Sequence, residues 1–113
     1  MTARVARKAK APSMAASVAA GLEDKAEEAA RLLSAMANPK RLMVLCNLID
    51  GERAVGELAE QVGLRQAALS QHLAMMRALD LVATRREGQT IYYRLASHEV
   101  RAILKTLYGL YCA

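Results

Sequence analysis

Residues 55–95 read VGELAEQVGLRQAALSQHLAMMRALDLVATRREGQTIYYRL, and this stretch decides the fold. Its apolar positions Leu58, Ala59, Val62, Leu64, Leu69 and Leu73 are spaced so that two short helices around a turn bury facing sides. Gly63 supplies the turn, because glycine tolerates a positive φ. Burying the leucines leaves Gln66, Ala67, Ser70 and Gln71 on the outer face of the second helix, near its N-terminus. Amide and hydroxyl groups placed there are the types that discriminate base edges in a DNA major groove. Arg65 stands where Ser or Thr would normally cap this helix. A cation at that position opposes the helix dipole, so its use is contact with phosphate. His72 reads as a structural or phosphate contact, with no carboxylate or thiol at a spacing that would make it a metal ligand.

The second half of the stretch predicts a β-hairpin, Leu81–Glu87 and Gln89–Leu95 around Gly88. Ile91, Tyr93 and Leu95 alternate inward, while Thr90, Tyr92 and Arg94 point out. Arg85, Arg86 and Gln89 then lie where a wing can reach the backbone or minor groove of flanking DNA. On a protein-binding domain the same residues would be an ordinary solvated face. The coincidence of polar outer face, glycine turn and basic wing points to double-stranded DNA instead.

Outward from this stretch, a helix is expected from about Leu22. Ala26, Ala29, Ala30, Leu33 and Ala37 recur at helical spacing opposite an acidic face. Asn38-Pro39 is a strong start signal for the next helix, which carries Leu42, Leu45, Cys46 and Ile49 on one face and stops near Asp50-Gly51. A third helix runs from about Glu57 to Gln61 or Val62, with Gly56 acceptable as its N-cap. The fourth covers about Gln66 to Leu79. A last helix, about His98 to Tyr111, presents Val100, Ile103, Leu104, Leu107, Tyr108 and Tyr111 as a broad apolar stripe. The expected fold is mainly α with a small β-hairpin wing, a winged helix-turn-helix in the order α-α-α-α-β-β-α. Residues 1–20 are expected to be a disordered basic N-terminal tail, and 21–113 the winged helix-turn-helix DNA-binding and dimerisation domain.

With 113 residues, 54% of them hydrophobic, the chain can form one domain with a small core. It has no Trp or Phe but six Met, which suits an adaptable helical core. So much apolar helical surface on so short a chain is commonly covered by a second copy. The net charge of +5 is placed unevenly. Arg4, Arg7, Lys8 and Lys10 lie in the acid-free tail, leaving the body close to neutral. The case for DNA therefore rests on where Arg65, Arg77, Arg85, Arg86 and Arg94 lie, not on overall charge. No apolar run approaches the length that spans a bilayer. Two cysteines do not make a secreted disulfide scaffold, so a cytoplasmic protein with reduced thiols, without membrane attachment, is expected. No nucleophile–base pair or phosphate-binding loop appears, and no cofactor is implied; an enzyme is not expected.

Three fragments with the wing carry a family resemblance: A-N-P-K-R-L from Ala37, V-G-E-L-A from Val55, L-S-Q-H-L from Leu69, and R-R-E-G-Q-T-I-Y-Y-R-L from Arg85. Over about residues 25–113 the chain resembles the ArsR/SmtB family of bacterial repressors. The resemblance implies a homodimer built on the first and last helices, with Leu104, Leu107, Tyr108 and Tyr111 at the dimer contact. It also implies a palindromic operator that is released when an inducer is sensed. The chain departs from the family at Arg65 and Ala67, where relatives often carry serines. Ala67 is thereby limited to an apolar base contact, for example with a thymine methyl.

The family's metal sensors need ligands that this chain lacks: residues 54–60 read AVGELAE, without the cysteine pair, and Ser97-His98-Glu99 does not match the last-helix pattern. What remains is Cys46 and Cys112, outside the DNA reader. Their placement resembles the BigR/SqrR subgroup, which implies that the two thiols meet within one protomer. A persulfide, polysulfide or other oxidant would then join them as a disulfide or a sulfur-bridged polysulfide. Cys46 taken alone is also suited to a small core position beside Leu42, Leu45 and Ile49. Cys112, one residue from the end, is harder to assign to a core. A metal- or metalloid-responsive repressor of the same fold is the first alternative. A small thiol redox enzyme is the second, although no Cys-x-x-Cys and no adjoining His or Arg supports it.

Overall fold

A computed structural model describes residues 13–113, and local signals in the chain account for most element boundaries. The chain divides into two compact units, one up to Arg31 and one of Leu32–Ala113. In the first, α1 spans Met14–Leu22, a short 3₁₀ turn spans Glu23–Lys25, and α2 begins, spanning Ala26–Met36. The expectation of a tail through residue 20 is corrected from Ser13 onward. The Ser13 hydroxyl accepts a hydrogen bond from the Ala16 N–H at 3.0 Å, and the alanine-rich run behind it has high intrinsic helix propensity. Arg4, Arg7, Lys8 and Lys10 lie outside the described residues.

In the second unit α3 spans Pro39–Asn47, followed by β1 (Arg53–Ala54), α4 (Val55–Val62), α5 (Gln66–Ala78), β2 (Val82–Glu87), β3 (Thr90–Leu95) and α6 (His98–Tyr111). Asn38 is extended, and its Oδ1 accepts from the Lys40 and Arg41 N–H groups at 2.9 and 3.1 Å. Pro39 fills the first helical position, where its missing N–H costs nothing. At the other end α3 stops three residues before the expected Asp50. α6 matches its expected limits, capped by the Ser97 hydroxyl accepting from Val100 N–H at 3.1 Å.

α4 and α5 end alike. Leu64 N–H reaches Ala59 O and Leu81 N–H reaches Met76 O, at 3.0 and 2.9 Å. These are six-to-one closures of the Schellman type, which require a left-handed residue just past the helix. Gly63 (φ 69) and Asp80 (φ 61) take that conformation. The hairpin closes through Gly88-Gln89 with Gly88 at φ 63, a two-residue turn with glycine first.

Two expectations are corrected here. The sheet has three antiparallel strands in the order β1-β3-β2, not two. Because β1 leads straight into α4, the N-cap is Ala54, without a side-chain bond, and Gly56 lies inside the helix. The core draws Val44, Leu45 and Leu48 from α3 and the residue after it, Leu58, Ala59 and Val62 from α4, and Leu69, Leu73 and Met76 from α5. Leu81, Val82, Val100 and Leu104 complete it, with Ala35 and Met36 of α2. In α2 the expected apolar face is largely exposed (Ala26, Ala30, Leu33 and Ala37), and Leu32, Ala35 and Met36 meet the core instead. Among the described residues no helix is long and apolar enough to cross a membrane.

Two substitutions test these signals by chemical denaturation. Asn38→Ala should lower stability by about 1 kcal/mol, the usual cost of losing such a cap. Gly63→Ala should cost about 1–2 kcal/mol, because a Cβ is strained at that φ.

Candidate functional site

The buried leucines of α5 fix which of its residues remain outside. Leu69 and Leu73 are wholly buried, while Arg65, Gln66, Ala67, Ser70 and Gln71 are exposed. Arg65 is the N-cap residue and makes no side-chain capping bond, so its guanidinium is not spent on the helix end. The Gln66 amide lies against α4, 3.5 Å from where a side chain on Gly56 would begin. His72 departs from the outward set. It is half-buried, and its Nδ1 is 3.4 Å from Arg41 Nη1, so it braces α3 against α5 and does not stand on the outer face.

The motif around Asn38 has a positional role that sequence reasoning missed. Lys40 Nζ donates to Val62 O at 2.6 Å, satisfying a terminal carbonyl of α4 beside the Gly63 turn. Arg41 Nε donates to Ala35 O at 2.6 Å and also reaches His72. Two consecutive cations thereby tie α3 to the end of α4, the end of α2 and the middle of α5. The signal was a basic pair inside the first turn of a helix, where the dipole disfavours cations and another use is required.

On the wing, Arg86 and Gln89 are exposed, as a backbone contact requires. Arg85 is placed differently. Its Nε and Nη2 donate to Glu52, the latter at 2.5 Å, and its Nη1 donates to Glu87 Oε2 at 2.7 Å. The guanidinium also sits over the Tyr92 ring, 4.7 Å from its centroid. The bond to Arg85 holds the Glu52 carboxyl below the usual carboxylate range. In the free protein three of the Arg85 donors are thus engaged by two carboxylates, unlike those of Arg86.

The two cysteines, distant in sequence, line one groove. α6 is pinned to the turn just after α3, where Arg101 Nη1 donates to Ile49 O at 2.8 Å. Beside that contact lies an open groove of about 620 Å³ lined by Leu42, Met43, Cys46 and Ile49 from one side and Leu104, Leu107, Tyr108, Tyr111 and Cys112 from the other. Both thiols are free and exposed. The core reading of Cys46 fails because α3 turns Val44, Leu45 and Leu48 inward and leaves Cys46 at the groove. Partial burial by the apolar walls pushes the Cys46 thiol up, and the charge of Cys112 pushes it further in the same direction. Leu104, expected at a dimer contact, is only 4% exposed and belongs to the protomer's own core. Tyr108, Leu110 and Tyr111 are 63, 72 and 82% exposed, and Leu110 was not among the expected contact residues. Among the described residues no cluster of three or more His, Cys, Asp or Glu side chains could hold a metal ion.

Residues 38–84 match the model of the bacterial regulatory protein, arsR family. The transcriptional activator HlyU of Vibrio cholerae is 50% identical over 91 residues, covering 80% of this chain and 84% of that protein. The chain belongs to the arsR family of bacterial regulatory proteins. The nodulation protein NolR of Rhizobium meliloti is 58% identical over 86 residues, 76% of this chain and 70% of the relative. The crystal structure of the transcriptional repressor BigR from Xylella fastidiosa superimposes with a TM-score of 0.78 at 41% identity, covering 82% of this chain and 95% of that one. The fold is thus the winged helix-turn-helix, and the protein is a transcriptional regulator of this family.

The groove makes a prediction for thiol chemistry. A raised pKa leaves less thiolate at neutral pH, and thiolate is the nucleophile. Alkylation of Cys46 by iodoacetamide should therefore keep accelerating as pH rises past the ordinary thiol range. In Cys112→Ser, which removes the facing thiol, Cys46 should react faster on the alkaline side, where thiols ionise and a second thiolate would oppose the first; an unchanged rate there would show that the two sulfurs do not sense each other.

Proposed function

We propose that this chain acts as a homodimeric repressor that reads palindromic operator DNA and releases it when Cys46 and Cys112 are joined. The observation that supports the reading is the shared groove, which both exposed thiols line beside the bond that joins Arg101 of α6 to the turn after α3. A thiolate takes the terminal sulfur from a persulfide R–S–S–H, forming Cys–S–S–H and releasing the thiolate R–S⁻. The second cysteine, as thiolate, then displaces HS⁻ and closes a disulfide. A second persulfide molecule, passing its terminal sulfur to Cys–S–S⁻ and leaving as R–S⁻, would lengthen the chain to Cys–S–S–S–H. Attack by the other cysteine at the middle sulfur of that chain, with HS⁻ leaving, would then close a trisulfide bridge, which spans a longer gap. Such a switch suits a compartment that keeps thiols reduced, the bacterial cytoplasm.

Gln66, Ala67, Ser70 and Gln71 supply the face for base edges, with Arg65 and Arg86 for phosphate and Gln89 at the wing tip. Dimerisation follows from apolar side chains left uncovered by one protomer, Leu33 on α2 and Leu110 and Tyr111 on α6, too many for an isolated chain to leave in water. A dimer must place two copies of α5 in grooves about 34 Å apart. A bridge between α3 and α6 changes the base on which those copies are spaced, so a small misfit acts on two half-sites together. A coupling of about 2–3 kcal/mol would weaken binding about 30–150-fold.

The test uses a duplex selected by this protein from a random-sequence pool. Persulfide treatment should release it from the wild type but not from Cys46→Ser or Cys112→Ser. If either serine variant still lets go on treatment, the dithiol switch is wrong.

A further inference from the structure

The wing offers three arginines to DNA, and the structure treats them unequally. Arg86 and Arg94 both lie within ion-pair distance of no carboxylate among the described residues. Arg86, paired with Ile91, is the one next to the hairpin turn, whereas Arg94, opposite Ala83, lies at the far end of the strands. Arg85 is held by Glu52 along one edge, by Glu87 on another, and by Tyr92 beneath its plane. The register explains why. Arg85 pairs with Tyr92, and Tyr92 pairs on its other side with Ala54. Glu52, two residues before Ala54, thus faces Arg85 across the full width of the sheet. Glu87 lies two residues further along β2, on the same face of the strand. Arg94 shares that face, opposite Ala83, and its charge also lowers the Glu52 pKa. The outer face of the wing therefore carries two guanidiniums and two carboxylates (Arg85, Arg94, Glu52, Glu87).

A carboxylate engages a guanidinium with the same paired acceptors that a phosphate uses. Glu52 and Glu87 engage three of the five Arg85 N–H groups, the whole Nε–Nη2 edge among them, so a phosphate must compete with two carboxylates for this guanidinium. We infer that Glu52 is a positioning residue for the DNA interface, holding Arg85 flat across the sheet and off the phosphate backbone, so that the wing's phosphate contact falls to Arg86. This rests on the DNA-binding reading given above, and says which wing cation acts within it.

Counterion release makes this measurable. Each phosphate neutralised by a protein cation contributes about −0.9 to the slope of log affinity against log salt on duplex DNA. The probe is a short random-sequence duplex, with affinity measured by fluorescence anisotropy across a sodium chloride series. In the wild type, Arg86→Ala should flatten the slope by about 0.9 per protomer, whereas Arg85→Ala should leave it unchanged. Glu52→Gln keeps the side chain's size and should steepen the slope by about 0.9 per protomer, with tighter binding at low salt. Adding Arg85→Ala to Glu52→Gln should abolish the gain.

Three results would overturn the inference. The first is a flatter slope for Arg85→Ala alone, which would mean that Arg85 already meets phosphate. The second is an unchanged slope for Glu52→Gln. The third is a gain that survives in the double variant, which would make Glu52 a source of general repulsion. Glu87→Gln, at the exposed hairpin end, repeats the test should Glu52→Gln disturb the sheet. A wild type that shows no salt-dependent binding to any duplex defeats the DNA-binding reading itself, a result separate from these three.

Discussion

The reversal of the chain between α4 and α5 is the constraint on which the rest depends. Leu58 and Leu69 are both wholly buried, and they share one core only because Gly63 turns the backbone through a left-handed step. Each such leucine contributes about 2 kcal/mol on burial, more than any single cap. The polar closures around the turn act on geometry more than on energy. Lys40 binds the last carbonyl of α4, and Arg41 links the end of α2 to His72. With the turn fixed, α5 has no freedom about its own axis, and its outer residues are set by what the inner ones bury.

Much of this was legible in the chain. Asn38-Pro39 announces a helix start by supplying an acceptor and omitting a donor, and Gly63 and Gly88 stand where left-handed backbone is needed. The limits of α6 followed from its regular apolar stripe. The failures have physical causes. In α3, Leu42 to Cys46 are five apolar residues in succession, so periodicity could not say which of them faces inward. β1 contributes two residues and pairs with Tyr92 and Tyr93, far along the sequence, so no local pattern marks it. The grip of Glu52 on Arg85 depends on that same strand and was invisible for the same reason. His72, read as a structural or phosphate contact, takes the structural place: one step around the helix from Gln71 carries it to the edge of the core, beside Arg41.

Charge and thiol chemistry meet in a common demand: the protein must be able to let go. A regulator gripping many phosphates would hold duplex DNA through any modest change in fit, because sequence-blind contacts survive misalignment of the base-reading face. A wing whose outer face balances its guanidiniums with carboxylates keeps that residual grip small. If a bridge between Cys46 and Cys112 is the switch, as proposed, a coupling of a few kcal/mol at the protomer base would then suffice to empty the operator.

Cys46 lies within α3, whereas Cys112 is the residue just after α6, one short of the chain end. Of the two sulfurs, one is mounted within a helix and the other just past one. A bridge between them would ask the last turn of α6 to give, since Cys46 lies within α3. Once joined, however, that end loses its slack, and the last helix is anchored at both extremities, by Arg101 near its start and by sulfur at its finish. Such a helix can no longer absorb strain by unravelling and must pass it along its length to whatever packs on it.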